Sequence, residues 1–165
     1  MAISKKILKF LDKSAIKYNI LKHRTVYTAH DLAVTLKKKL DEVTKTIVVS
    51  TGKGHALVVL PASRYLDLDK LKKLLKVKKI ELITEKAMAK IFKIKPGAMV
   101  PFGQLSGDIN VHIDKALMKS KKLITQAGDF ENSFHLKVQD FLKATSGVIG
   151  NFSSAKKPMK NKKKN

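Results

Sequence analysis

The chain has 165 residues, 44% of them hydrophobic and 29% charged, which is enough apolar material for one buried core and too much charge for a membrane bundle. It contains no cysteine, so disulfide scaffolds, thiolate metal sites and cysteine nucleophiles are excluded. Thirty-five Lys and Arg against 13 Asp and Glu give a net charge of +22, and removing the six lysines of residues 155–165 (AKKPMKNKKKN) still leaves +16.

A field of that sign concentrates polyanions and speeds their encounter, with an affinity that falls as salt rises. Nucleic acid is the first such partner and an anionic membrane surface its rival. A proteome that uses lysine as its default surface residue would give the same count. Arginine, the residue suited to bidentate phosphate recognition, occurs only at Arg24 and Arg64.

In chain order, the opening MAISKKILKFLDK has lysines breaking every apolar run, so it reads as neither a secretory signal nor a membrane span, and a reducing cytoplasm is the expected compartment. Ile7, Leu8 and Leu11 have helical spacing behind a Ser4 cap, predicting a helix over 4–14. Ile16, Tyr18 and Ile20 alternate as in a half-buried strand. Thr28 with Asp31 opens a second helix through Leu36. TKTIVVS (44–50) and HALVVL (55–60) are β-branched runs flanking Thr51-Gly52-Lys53-Gly54, predicting a central hairpin buried on both faces.

Residues 67–76 form an amphipathic helix with Leu68, Leu71, Leu74 and Leu75 inward. A strand is expected over 79–83 and a Thr84-capped helix through Phe92. Lys95 to Gly107 (KPGAMVPFGQLSG) reads as a loop, yet carries Met99, Val100 and Phe102, which suggests a loop folded back to line a pocket. Short strands follow at 109–113, 123–126 and 134–138, then a helical turn or two over 140–144. The expected architecture is a single α/β domain of α+β type over 1–152. Its mixed, partly barrel-like sheet is surrounded by helices, and 153–165 follow as a disordered lysine-rich tail.

Several chemistries lack their motifs. There is no GxxxxGK[ST], no GxGxxG after a strand, no GxSxG and no HExxH, and His23, His30, His55, His112 and His135 show no paired ligand spacing, so no metal and no cofactor is expected. Two features remain. Lys45 interrupts an apolar strand face shared with Ile47 and Val49, so it either snorkels to solvent or serves a site. The Gly97–Gly103 loop combines glycines with Pro101, which is either an ordinary stiffened turn or a set of backbone donors fixed around a carbonyl.

The segments YTAHDLA (27–33), TKTIVV (44–49), LPA (60–62), DLDKL (67–71), GAMVPFG (97–103) and VHIDKAL (111–117), in that order and spacing, resemble the YbaK/prolyl-tRNA-synthetase-associated editing domains, free-standing aminoacyl-tRNA deacylases. The resemblance spans roughly residues 3–150. Its most diagnostic pair is the lysine of the K-T-[IVL]-[VL]-V strand and the G-x-x-x-P loop, here Lys45 with Gly97 and Pro101.

It implies a pocket for the mischarged amino acid on the 3′-terminal adenosine of tRNA, and metal-free hydrolysis of the ester. Lys45 would lie near the ester or terminal phosphate, with the amides around Gly97 on the carbonyl side and a water as nucleophile. Tyr27, Thr28, Met99, Val100, Pro101, Phe102 and Gly128 are the expected substrate-binding residues, Thr28 having an equal claim as a helix cap. The expected function is trans-acting deacylation of mischarged tRNA, with tRNA-Pro as the leading substrate, an aminoacyl-tRNA synthetase as a possible partner and no membrane partner. Two rivals stay open: a non-catalytic tRNA- or synthetase-binding module of the same fold, and a basic nucleic-acid-associated protein whose tail carries the affinity.

Overall fold

The computed structural model describes residues 3–95 and 97–156. Among the described residues, five α-helices and ten strands make one α/β domain: α1 Lys5–Lys13, β1 Asn19–Lys22, α2 Ala29–Leu36, β2 Thr44–Ser50, β3 His55–Pro61, β4 Tyr65–Leu66, α3 Leu68–Leu75, β5 Glu81–Leu82, α4 Glu85–Ile91, β6 Asn110–Asp114, β7 Lys122–Gln126, β8 Asn132–Lys137, α5 Val138–Thr145, β9 Val148–Gly150 and β10 Ser153–Ser154. The helix starts follow the sequence closely. Side-chain oxygens of Ser4, Thr28, Asp67 and Thr84 each accept a backbone N–H of the first turn of α1, α2, α3 and α4, satisfying donors that have no partner within the helix.

The main sheet has the order β5-β2-β3-β6-β9, antiparallel from β5 to β3 and parallel from β3 to β9. β3 lies at its centre and is buried on both faces. Leu57 and Val59 enter one core with Phe102, Phe134 and Phe141, whereas Ala56, Val58 and Leu60 enter a second core with Leu71, Ile80 and Phe152. β2 departs from the expected double burial. β5 covers it only at Val49 and Ser50, so Lys45, Thr46 and Ile47 are only partly buried, and an opening is left beside that stretch of strand.

A second, antiparallel sheet has the order β1-β8-β7. The first strand is shorter and later than expected, because Ile16 and Tyr18 pack on the core before the ladder begins at Asn19. The two sheets meet at one parallel bridge, Val43 to Ile124, beside a buried hydrogen bond from Thr44 Oγ1 to Thr125 Oγ1 (2.9 Å). Among the described residues they form no closed barrel, so the partly barrel-like expectation reduces to this one seam.

The expected boundary at 152/153 is also displaced. Ser153–Ser154 pair with β4, and Phe152 and Ser153 are fully buried. Buried Asp114 accepts from the Phe152 N–H (3.0 Å) and Ser153 Oγ (2.7 Å), while Arg64 Nε donates to Ser153 Oγ (2.6 Å) and Lys70 Nζ to the Ser153 carbonyl (3.0 Å). One of only two arginines is therefore spent holding the chain's return past α3. The remaining lysine-rich segment, 157–165, lies outside the described residues.

Candidate functional site

The opening beside β2 is a cavity of about 600 Å³, lined by Tyr27, Thr28, Ala29, Lys45–Val48, Leu82, Ile83, Glu85, Met88, Lys95, Gly97, Gln126 and Phe130. Its floor is strand edge. The Val48 carbonyl accepts from the Ile83 N–H and the Thr44 carbonyl from the Gln126 side chain, so between these two points the outward edge of β2 faces the cavity.

Lys45 is among the lining residues, and its ammonium lies 5.5 Å from the centre of the ring of Tyr65, which is outside the lining, a distance at which the ring's quadrupole attracts a cation. Among the described residues no carboxylate pairs with it. Burial alone pushes its pKa down, since desolvation penalises the charged form.

Gly97 forms the opposite wall. Its φ is +88°, and the Ala98 N–H donates to the Lys95 carbonyl (3.1 Å). A Cβ at Gly97 would lie 2.5 Å from the Tyr27 carbonyl oxygen and 3.6 Å from Phe130 Cε1. Only glycine lets this turn approach the segment that leads into α2. Among the described residues the Gly97 N–H donates no backbone hydrogen bond. Tyr27 is 63% exposed and meets Phe130 edge-on, with ring centroids 4.8 Å apart, so the two rings form the rim on this side. Thr28 Oγ1 caps α2 by accepting from the Asp31 N–H (3.0 Å), and the residue also lines the cavity.

The structure thus brings Lys45, Gly97, Tyr27 and Thr28 together. Met99, Val100, Pro101 and Phe102 are buried and absent from the cavity wall. Phe102 packs between Phe10 (centroids 5.5 Å apart) and Phe134 (6.3 Å), because the Gly/Pro loop runs inward beneath α1 instead of around the pocket. Gly128, at φ +97°, is also outside the wall, and a Cβ there would meet Ile7 Cδ1 at 2.9 Å. Its glycine is required by α1 packing.

The side chains that do shape the cavity were not singled out in the sequence: Ile47, Leu82, Ile83, Met88, Phe130 and Gln126. Gln126 carried one readable signal, a polar residue closing the apolar strand LITQ. It is 7% exposed, and its Nε2 donates to the Thr44 carbonyl (2.8 Å), while Oε1 is buried with no hydrogen-bond partner among the described residues.

The profile of the family described as "Aminoacyl-tRNA editing domain" matches residues 23–144, which include every residue lining this cavity. The chain belongs to that family. It is 27% identical over 138 residues to the "Prolyl-tRNA editing protein ProX" of Acetoanaerobium sticklandii, covering 81% of this chain and 84% of that protein. It is 29% identical over 111 residues to a "Proline--tRNA ligase" of Staphylococcus saprophyticus, covering 67% of this chain but 19% of the ligase. The crystal structure of hypothetical protein APE2540 superposes with a TM-score of 0.83 at 20% identity, over 91% of this chain and all of that one, and so shares the fold. As an editing domain the chain has mischarged aminoacyl-tRNA as its substrate class. No helix of the described residues is long and apolar enough to cross a membrane.

Proposed function

We propose that this editing domain is a trans-acting deacylase that hydrolyses the ester of mischarged tRNA, with tRNA-Pro as the tRNA. The observation that carries the reading is that Lys45, with no carboxylate partner among the described residues, and Gly97, whose N–H makes no backbone hydrogen bond among them, both line one mostly apolar cavity of about 600 Å³. That volume falls in the usual range for small-molecule sites and accommodates an aminoacyl group with its terminal ribose. The tRNA-Pro assignment draws on the similarity to ProX and the proline ligase, and action in trans on the match over most of ProX.

An aminoacyl ester is already activated, so hydrolysis needs positioning and charge stabilisation more than a strong nucleophile. In the proposed complex the Gly97 N–H donates to the ester carbonyl oxygen, where negative charge develops as water adds. Lys45 stands on the phosphate or ester side, and its ammonium gains strength from the low local dielectric that lowers its pKa. The tetrahedral centre collapses with the tRNA ribose oxygen leaving and taking a proton, which gives free amino acid and intact tRNA. The step as proposed uses no metal.

Selection is by size. A methylene distinguishes amino acids by only about 1–3 kcal/mol at a synthetic site, so a second sieve is needed. Ile83, Met88 and Phe130 set it here. The compartment this chemistry requires is the cytoplasm, where charged tRNA is made, and the basic surface supplies generic tRNA affinity.

The test is a panel of mischarged tRNAs incubated with the purified chain and with Lys45→Ala. Release of amino acid by the wild type and its loss in the variant support the reading. Tight tRNA binding with no deacylation of any member would replace it with a non-catalytic binding module.

A further inference from the structure

We infer that a second cleft, walled by Lys39, Arg64, Lys119 and Lys121, grips the phosphates of the tRNA a few nucleotides back from the esterified ribose. The inference rests on the deacylase reading for its substrate, and it gives a place to an affinity which that reading leaves to the basic surface at large.

The cleft has a volume of about 580 Å³, and Asp41 and Glu42 share its wall with the four cations. Both carboxylates are engaged with the wall itself. Asp41 accepts from Ser63 Oγ, and Glu42 from the Lys39 N–H (3.3 Å). Among the described residues none of the four cations forms an ion pair, so an excess of two positive charges is open to a ligand. Arg64 is held rigidly, its Nε donating to Ser153 Oγ (2.6 Å) and its Nη2 to the Ser153 carbonyl (3.2 Å). Those two bonds leave the other guanidinium donors for an anion. A concave wall of one net sign focuses its field more strongly than the same charges spread over a convex face.

The cleft lies at the Lys45 end of the β2–β3 pair. Glu42 precedes Lys45 by three residues, at most about 11 Å of chain. Ser63 and Arg64 follow Pro61, which pairs with Thr44, and Tyr65 next to Arg64 meets the Lys45 ammonium at 5.5 Å. The aminoacyl cavity sets only Lys45 and Lys95 against Glu85, so a polyanion whose end sits there meets most of its counter-charge elsewhere. Two further clefts have no lysine or arginine in their walls, and each presents an aspartate, Asp129 in one and Asp108 in the other.

The experiment uses the full chain and two substrates bearing the same amino acid: a mischarged tRNA, and the aminoacyl ester of adenosine, which lacks the phosphates. The cleft variant is Lys39→Gln/Lys119→Gln/Lys121→Gln, three exposed side chains. The control, Lys9→Gln/Lys13→Gln/Lys143→Gln, removes the same charge from exposed positions outside both cavities. In the cleft variant the ratio of kcat/KM for tRNA to that for the ester should fall about tenfold or more, with KM for tRNA carrying the loss. The slope of log Kd for uncharged tRNA against log salt should flatten by about 2–3, one contact per lysine. Equal changes in cleft variant and control would overturn the assignment and leave the affinity diffuse. A wild type that releases amino acid from neither substrate would overturn the deacylase reading, and the salt slope, read on uncharged tRNA, would still decide for or against the cleft.

Discussion

Replacing Gly97 by alanine separates two costs that the structure places on one residue. The first is conformational: at φ +88° an L-residue with a Cβ costs about 1–2 kcal/mol. The second is a collision. The new Cβ would stand 2.5 Å from the Tyr27 carbonyl oxygen, and backbone on both sides must yield by roughly 0.9 Å to restore ordinary contact. Gly52 provides an internal control, since its φ is +83° but nothing lies within 4 Å of a Cβ there. Gly52→Ala should therefore show the conformational cost alone, and Gly97→Ala about 1–2 kcal/mol more, for a total of about 2–4 kcal/mol.

For a chain of this size that is a fall in Tm of about 5–15 °C for Gly97→Ala and about half as much or less for Gly52→Ala. Calorimetry or thermal circular dichroism reads it. The same displacement moves Tyr27 away from the turn and the Gly97 N–H out of place, so kcat/KM for deacylation should fall about 100-fold or more, whereas Gly52→Ala leaves it unchanged. Equal Tm shifts for the two variants, with activity retained in Gly97→Ala, would refute both the close approach and the role of the turn.

Other outcomes follow from the same structure. Lys45→Met should lower kcat/KM by at least about 100-fold without lowering Tm, because it removes a charge whose burial the fold pays for. With its pKa pushed down, Lys45 loses its proton below the ordinary lysine range, so the alkaline limb of the activity profile should begin there and move upward in Lys45→Arg. Over that window the unfolded chain holds a proton the folded chain has released, so stability rises with pH, as denaturant melts across the range would register. Phe102→Ala should cost about 3–5 kcal/mol in urea melts with no change in which amino acids are released, while Phe130→Ala should widen the accepted size range at little cost in stability. Lys76 ends α3 in the left-handed conformation (φ 56°), so Lys76→Gly should raise Tm by about 2–5 °C with activity unaltered.

How far the sequence could be read differs between fold and site. Caps, hairpin and helix faces were legible because their signals are local: a side-chain oxygen beside the first turn, Gly52 and Gly54 between two β-branched runs, leucines at helical spacing. β4, β9 and β10 were not, since two- and three-residue strands carry no periodicity. Ser153 and Ser154 become a strand only because Asp114, Arg64 and Lys70 hold them beside Tyr65 and Leu66.

At the site, Lys45 stood out because a cation on an apolar strand face needs a reason, and Gly97 because a proline–glycine turn restricts the chain. Their shared pocket was implied by the family resemblance and by no local pattern in the sequence. It exists because β5 covers only the end of β2, and because the Val43–Ile124 bridge and the Thr44–Thr125 hydrogen bond draw the second sheet to the same edge. The apolar residues of the glycine loop show the limit most plainly. Hydrophobicity says that Met99, Val100 and Phe102 avoid water, but not whether a pocket or a core receives them. Phe10 and Phe134 decided for the core, and that choice depends on residues 92 positions away in one direction and 32 in the other. Sequence alone determined which groups are chemically unusual; only packing between distant segments determined which of them face one another.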